Sequence, residues 1–463
     1  MKEIHEILNN KDLQVIYFIG IGGIGMSALA RYFKSQGKIV AGYDRAETPL
    51  TKTLQDEGMH IHYQQDEIKN IQHIGLVIYT PAVPADSPIF TYCLSNSLPL
   101  FKRSDVLQGI TKNGFNICIA GTHGKTTIST LTAHILRDSG YGCNAFLGGI
   151  SVNYQTNFWH NENHVFVIEA DEYDRSFLKL SPDMAVITAM DADHLDIYGT
   201  ANEVENAFIA FSGKIKLNGS LVFPNHLKRQ NDLHASNKFT YGIQSASSDT
   251  SAENIRVGEH AFHFDVHFRS EWLKDLQLNM GGRHNIENTL AAITIAKQLC
   301  IDNEKIKSAI QSFKGVKRRF EFILNSQDHI FIDDYAHHPE ELRALISGVK
   351  ELYPTKKCLI IFQPHLYSRT KDLAMDFAKA LDQADEVILL PLYPAREKPI
   401  EGVSSELILT KMNLTFKSLM DKKQLLEYVE NKSPELLVTA GAGDIDMMLP
   451  SIKQALIQKR KLR

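Results

Sequence analysis

The chain has 463 residues, of which 43% are hydrophobic and 22% charged, and its formal net charge is −4. That length exceeds one ordinary core and predicts about two to four domains, while the slight acidic balance argues against a general nucleic-acid binder, which carries a basic stripe. No apolar run approaches membrane-spanning length, the polar N-terminal decapeptide (Lys2, Glu3, His5, Glu6) is unlike a signal peptide, and five dispersed cysteines without a C-x-x-C pair predict reduced thiols in a cytoplasmic protein.

Over residues 1–110, Val15–Ile19 reads as a strand, Gly20-Ile21-Gly22-Gly23-Ile24-Gly25 as a tight turn, Met26–Phe33 as a helix, and Ile39–Tyr43 as a second strand ending at Asp44. Strand, glycine turn, helix, strand and acid form a dinucleotide-binding pattern. By itself it predicts NAD with Asp44 on a ribose. The same turn also suits any diphosphate, or close helix–strand packing with no ligand. Leu76–Thr80 and Leu98–Phe101 are further strands. Lys102 and Arg103 follow, either as a solvated basic pair or as contacts to a ligand diphosphate.

Residues 111–315 open with the apolar strand Phe115–Ala120 and the run Gly121-Thr122-His123-Gly124-Lys125-Thr126-Thr127, followed by a helix over Thr126–Leu136. Glycines let the backbone approach an anion, N–H groups at the helix start point at it, Lys125 reaches terminal phosphates, and the Thr126 hydroxyl is placed for Mg²⁺. The strict phosphate-loop spacing requires glycine at 119, where this chain has Ile119. Two more strands, Val165–Ile168 and Met184–Thr188, deliver Glu169-Ala170-Asp171-Glu172 and Asp191-Ala192-Asp193-His194. Acids at the carboxyl ends of parallel strands sit where ligands bind, and Glu169 and His194 are the candidates for a hard-metal shell. Residues 218–270 look sheet-like. His284, Asn285 and Asn288 precede the apolar helix Leu290–Leu299 and serve either as caps or as hydrogen-bond partners of a nucleotide.

Residues 316–463 alternate strands (Ile330–Ile332, Cys358–Phe362, Val387–Leu390, Leu436–Thr439) with helices such as Leu373–Leu381, a further doubly wound unit. His337, His338 and His365 invite a zinc reading, but adjacent histidines with no thiol or H-E-x-x-H are poor tetrahedral spacing.

With all three segments read, the chain resembles the Mur ligase family over essentially its full length. The motifs are Gly121–Thr127, Glu169–Glu172, Asp193-His194-Leu195-Asp196, His284-Asn285-Ile286-Glu287-Asn288 and Asp334-Tyr335-Ala336-His337-His338-Pro339. Gly20–Ser27, Gly315–Phe320 and Phe362-Gln363-Pro364-His365 are similar to the member that acts on UDP-N-acetylmuramate and L-alanine. The resemblance implies an α/β chain of three domains: a Rossmann-like 1–110, a central phosphate-loop ATPase-type 111–315, and a Rossmann-like 316–463. It implies that the first holds the UDP of the substrate on Gly20, Gly22, Gly23, Gly25 and Arg103. The second would hold ATP through Gly121–Thr127, Asn288 and Arg319, with Mg²⁺ on Thr126, Glu169 and His194. The third would bring in the amino acid, with His337 and Arg369 facing the reacting groups. Lys125, His194, His337 and Arg369 are thereby the catalytic candidates, in a cytoplasmic monomer or homodimer that makes peptidoglycan precursors through an acyl phosphate. The alternatives are the recycling ligase that attaches a ready-made tripeptide, and an NAD-dependent oxidoreductase. Two departures from the family pattern stand out. Leu366 occupies a position often held by arginine, and the helix Glu203–Phe211 lacks the lysine that several members carbamylate.

Overall fold

An apolar run such as Val15–Ile19 satisfies its backbone on both edges only inside a sheet. In the computed structural model, which describes residues 3–84, 86–192, 195–258, 260–395 and 397–458, it forms β1 and is buried along its whole length. Around it lie β2 (Ile39–Tyr43), β3 (His60–His62), β4 (Ile74–Tyr79) and β5 (Leu100–Lys102), in the parallel order β3-β2-β1-β4-β5. The chain leaves β1 toward one edge and returns at β4 toward the other. The turn after β1 therefore opens at a topological switch point, the usual crevice for a ligand.

The second sheet is built from β6 (Phe115–Ala120), β7 (Asn144–Ser151), β8 (Thr156–Trp159), β9 (Val165–Glu169), β10 (Met184–Ile187), β11 (Ser220–Pro224), β12 (Asn237–Ile243), β13 (Thr250–Gly258), β14 (Ala261–Phe268) and β15 (Glu271–Leu278). Its order is β15-β14-β13-β12-β11-β10-β6-β9-β7-β8. β6 lies parallel between β9 and β10, in a register that pairs Ile119 with Glu169 and Ala120 with Ile187. Both acidic strand ends therefore arrive beside Gly121. β7 and β8 form an antiparallel hairpin whose register slips between Phe146 and Ser151.

The third sheet comprises β16 (Glu321–Asn325), β17 (Ile330–Asp334), β18 (Cys358–Phe362), β19 (Glu386–Leu389), β20 (Lys417–Leu419) and β21 (Leu436–Ala440), in the order β16-β17-β21-β18-β19-β20. All pairs are parallel except β16 with β17. The α/β class and the three-sheet architecture expected from the sequence are both present. By contact density the chain falls into two compact units, 1–253 with 266–274 and 287–312, and 254–265 with 275–286 and 313–463.

Several elements differ from their expected bounds. The helix after the phosphate loop runs Lys125–Asp138, and the next long one Ala201–Ser212, started by the Thr200 hydroxyl accepting from Glu203 N. Lys102 is the last residue of β5 and Arg103 the first of a helix. The helix expected from Leu290 begins at Arg283, so Asn288 lies well inside it and is not a cap. The polar residues 283–289 hid the first turns of that helix, because an apolar-periodicity reading starts only where the apolar face does. The segment Gly140–Gly142 closes the helix as expected, with φ of 81° and 79° at the two glycines.

In the first unit the Ala201–Ser212 helix docks through Phe208 and Phe211, both fully buried, onto Phe177, whose ring stacks on Phe211 at 4.9 Å. In the second, Phe331, Leu359, Ile361, Ile388 and Leu437 pack against Leu425, Val429 and Ile452 from two helices. Phe211→Ala removes an aromatic from a close-packed site, and is expected to cost about 3–5 kcal/mol. A fall in the urea midpoint of the first unit's transition, with the second unit's signal unmoved, is the result to look for.

Candidate active site

The phosphate loop is preformed. Gly121 has φ 122° and Gly124 φ 77°, conformations an L side chain resists. A Cβ at Gly124 would lie 2.5 Å from Asn288 Oδ1, and one at Gly121 would overlap the Thr188 hydroxyl. Asn288, 9% exposed, thus packs its amide against the loop from a different helix. Thr122 N donates to Ala189 O at 3.1 Å, and the Thr122 hydroxyl accepts from Asp191 N at 3.3 Å. His123 is exposed, its Nε2 3.5 Å from Asp191 Oδ2. Thr127 is buried.

Lys125 donates to Gly121 O at 2.7 Å and to Glu172 Oε1 at 2.8 Å, with the side chain 14% exposed and Glu172 only 1%. Thr126 Oγ1 donates to Glu169 Oε1 at 3.0 Å, and Gly148 N and the Ser129 hydroxyl donate to Oε2 at 3.0 and 3.4 Å. A hydroxyl and a carboxylate therefore meet at the mouth of an anion cradle. This donor set fits a triphosphate with Mg²⁺, which takes few protein oxygens and completes its shell with water and phosphate. No group of three or more His, Cys, Asp or Glu suited to a metal occurs among the described residues. His194, expected to complete the shell, lies outside the described residues. Glu172, Ser129 and Gly148 join the site unannounced. Only Glu172 carried a signal, as the last acid of Glu169–Glu172.

The glycine turn after β1 is a separate candidate site in the same unit. Gly22 N donates to Asp44 Oδ2 at 2.7 Å, and Arg45 N to Oδ1 at 2.7 Å. Asp44 thus serves as an internal brace of the turn. Arg103 lies against the turn, its Nη1 3.2 Å from where a Cβ at Gly25 would be. Gly20 and Gly23 shape the same turn, with Gly23 N donating to Gly20 O at 3.2 Å.

The second unit gathers Arg319, His337, His365 and Arg369. The Arg319 guanidinium lies 5.7 Å from the Tyr335 ring, and the His337 and His365 rings are 6.4 Å apart. The His337 Nδ1 is 2.9 Å from Tyr335 O, which fixes a proton there and leaves Nε2 as an acceptor. Burial, with Arg369 and Arg319 nearby, lowers the His337 pKa, and burial beside Arg369 and His337 lowers that of His365 to about 4. Both imidazoles are neutral at neutral pH. Arg369 sits in the first turn of the Tyr367–Leu381 helix, and its Nη1 is buried with no hydrogen-bond acceptor among the described residues. A cation at a positive helix end with an orphaned donor is built for an anion. Leu366 starts that helix at φ 70°, ψ 135°, a conformation that costs a side-chain residue about 1–3 kcal/mol. His338 instead caps the Pro339–Leu352 helix, reciprocally with Glu341, so the adjacent histidines have different roles. His284, exposed at the surface, lines a cavity of about 630 Å³ with Arg283, Ser347 and Lys350. Asn285 donates its amide to Gly281 O at 2.7 Å.

Three family models match in succession: the Mur ligase family catalytic domain over 15–114, the Mur ligase middle domain over 119–296, and the Mur ligase glutamate ligase domain over 318–443. The chain is 45% identical to the UDP-N-acetylmuramate–L-alanine ligase of Christiangramia forsetii, covering 97% of this chain and 100% of that protein. Among solved structures, the UDP-N-acetylmuramate-alanine ligase MurC of Thermotoga maritima superposes with a TM-score of 0.81 at 28% identity, covering 97% of this chain and 99% of that one. A murein peptide ligase from Psychrobacter arcticus shares the fold, with a TM-score of 0.65 at 22% identity over 96% of this chain and 98% of that one.

Asp333, fully buried on β17, accepts from the Thr439 hydroxyl at 2.6 Å, and desolvation raises its pKa to about 7. A raised folded pKa stabilises only while the group is protonated, so this contribution is complete below the unfolded value and lost as pH rises through about 7. Asp333→Asn keeps an acceptor without the charge. It is expected to raise the second unit's unfolding midpoint at pH 8 relative to wild type, with the advantage vanishing by about pH 4, near the unfolded carboxylate value. Midpoints measured across that range check the sign.

Proposed function

Because this chain belongs to the Mur ligase family, we propose that it is an ATP-dependent ligase that joins L-alanine to UDP-N-acetylmuramate in peptidoglycan precursor synthesis. The observation that carries the reading is the Thr126–Glu169 contact at the mouth of a phosphate loop whose lysine is already held in place. The glycine turn, braced by its own acid, supports a second nucleotide site that takes the UDP through Gly20, Gly22, Gly23, Gly25 and Arg103.

The chemistry follows from charge. A carboxylate is a poor electrophile, so its oxygen attacks the γ-phosphorus of ATP, the bond to the β-phosphate oxygen breaks, and ADP leaves. The L-alanine amine then attacks the acyl carbon of the resulting acyl phosphate, loses a proton, and inorganic phosphate departs as the amide forms. Positioning and electrostatics supply most of the acceleration in such transfers. Lys125 moves its ammonium from the Gly121 carbonyl to phosphate oxygen, while Glu172 keeps it in line. Asn288 and Arg319 hold the nucleotide. Thr126, Glu169 and His194 would hold Mg²⁺, which would neutralise part of the phosphate charge. Arg369 offers its orphaned donor to an anionic group of the substrates. His337, neutral with Nε2 as acceptor, is suited to take the proton from the incoming amine. A cytoplasmic location belongs to the same reading. Among the described residues no helix is long and apolar enough to cross a membrane.

Incubating the protein with MgATP, UDP-N-acetylmuramate and either L-alanine or the tripeptide tests this directly. Amide formation and phosphate release with L-alanine are expected, whereas turnover with tripeptide alone would replace this reading with the recycling one. Lys125→Ala is expected to lower kcat by at least about 10²-fold while far-ultraviolet dichroism stays native.

A further inference from the structure

Outside the two candidate nucleotide sites, the first unit contains a polar cluster, buried at Arg31 and Asn157, with no assigned part in the chemistry. Arg31, 6% exposed, sits on the Ile24–Ser35 helix that follows the glycine turn. Its Nε donates to both Glu57 carboxylate oxygens at 3.1 and 2.9 Å, its Nη2 donates to Oε1 at 2.8 Å, and its Nη1 donates to Asn157 Oδ1. Asn157, fully buried on β8, turns its amide nitrogen the other way. Nδ2 donates to Ile24 O at 2.6 Å and to the Ser27 hydroxyl at 3.0 Å. The amide orientation is fixed, because a guanidinium can only donate and a carbonyl can only accept.

Ile24, between Gly23 and Gly25, opens that helix, so Asn157 grips the backbone where the glycine turn passes into it. Asn157 belongs to the β7–β8 hairpin, whose other strand offers Gly148 N to Glu169. One hairpin therefore reaches the helix start beside the glycine turn from β8 and the candidate metal carboxylate from β7, both within the stretch where its register slips. Aromatic packing stiffens the connection. Tyr32 on the helix meets Phe146 and Phe158 of the hairpin at 5.7 and 6.0 Å, and those two rings lie 5.1 Å apart. Hydrogen bonds between buried polar side chains fix geometry that apolar contacts alone leave free to slide.

We propose that Asn157, oriented by the Arg31–Glu57 pair, is a positioning residue that sets the separation between the glycine turn and the Glu169–phosphate-loop site, and so the approach of the UDP-linked carboxylate to the γ-phosphate. The inference rests on the ligase reading. Asn157 is fully buried, so its loss acts on alignment and not on affinity. A displacement of about 1 Å at reacting atoms costs up to about a hundredfold in rate.

The test is Asn157→Ala, read as kcat for L-alanine ligation, KM for MgATP, and Kd for UDP-N-acetylmuramate by calorimetry. Expected is a fall in kcat of about tenfold with KM and Kd within about threefold of wild type. A kcat within about twofold of wild type, or a Kd that worsens in step with kcat, overturns the inference. Should this variant not fold, Glu57→Gln keeps Asn157 and loosens only Arg31; it is expected to show the same split at about threefold in kcat, and an unchanged kcat there overturns the inference equally. A wild-type protein that forms no amide with L-alanine overturns the ligase reading and the inference together, whereas an active wild type beside an unimpaired Asn157→Ala overturns the inference alone.

Discussion

An ammonium that must receive phosphates cannot be left in water, and cannot be buried alone. In this chain the conflict is resolved at Lys125, placed between the Gly121 carbonyl and a carboxylate only 1% exposed. Removing one partner from such a buried pair strands the other charge at a cost of about 3–5 kcal/mol. The pair is therefore a constraint on everything around it. β9 must end where Glu172 can turn back, β6 must end at a glycine, and the helix must start with lysine on its inner side. Glu169, three residues earlier, obeys the same logic with neutral donors, taking hydrogen bonds from Thr126, Ser129 and Gly148. Two carboxylates on one strand end thus have different partners, one ionic and one a set of hydroxyl and amide dipoles.

The second unit handles charge differently. Its anion-seeking group is Arg369, placed at a helix start where the backbone dipole adds to its own charge. Neutral histidines surround it, since burial favours uncharged His337 and His365. Charge is concentrated on the residue that stays protonated at any working pH, and the groups that titrate are kept neutral. The strained Leu366 backbone is what turns the chain sharply enough to present Arg369 in the first turn.

Much of this was legible in the sequence, because strand, glycine and helix signals are local. Phe115–Ala120 and Gly121–Thr127 are read from adjacent residues, and so are the acids that end β9. Asp44 shows the limit of a local signal: an acid after a second strand has the same appearance whether or not it braces the turn, and only the hydrogen bond from Gly22 reveals the bracing. Asn288 was placed at a helix end because polar first turns conceal where a helix begins. Asn157 and Arg31 could not be found at all. Their contact spans 126 residues, and nothing local to either marks it.

Gly148 carries one more consequence. A Cβ there would overlap the Glu169 carboxylate. A residue with no functional group therefore occupies the space that keeps an acid in place, and any side chain would push that acid away from Thr126. In a saturation scan scored by cell growth, position 148 should tolerate substitution no better than the lysine of the phosphate loop. The tolerance of this strand to sequence change is thus decided, at this point, by an atom it lacks.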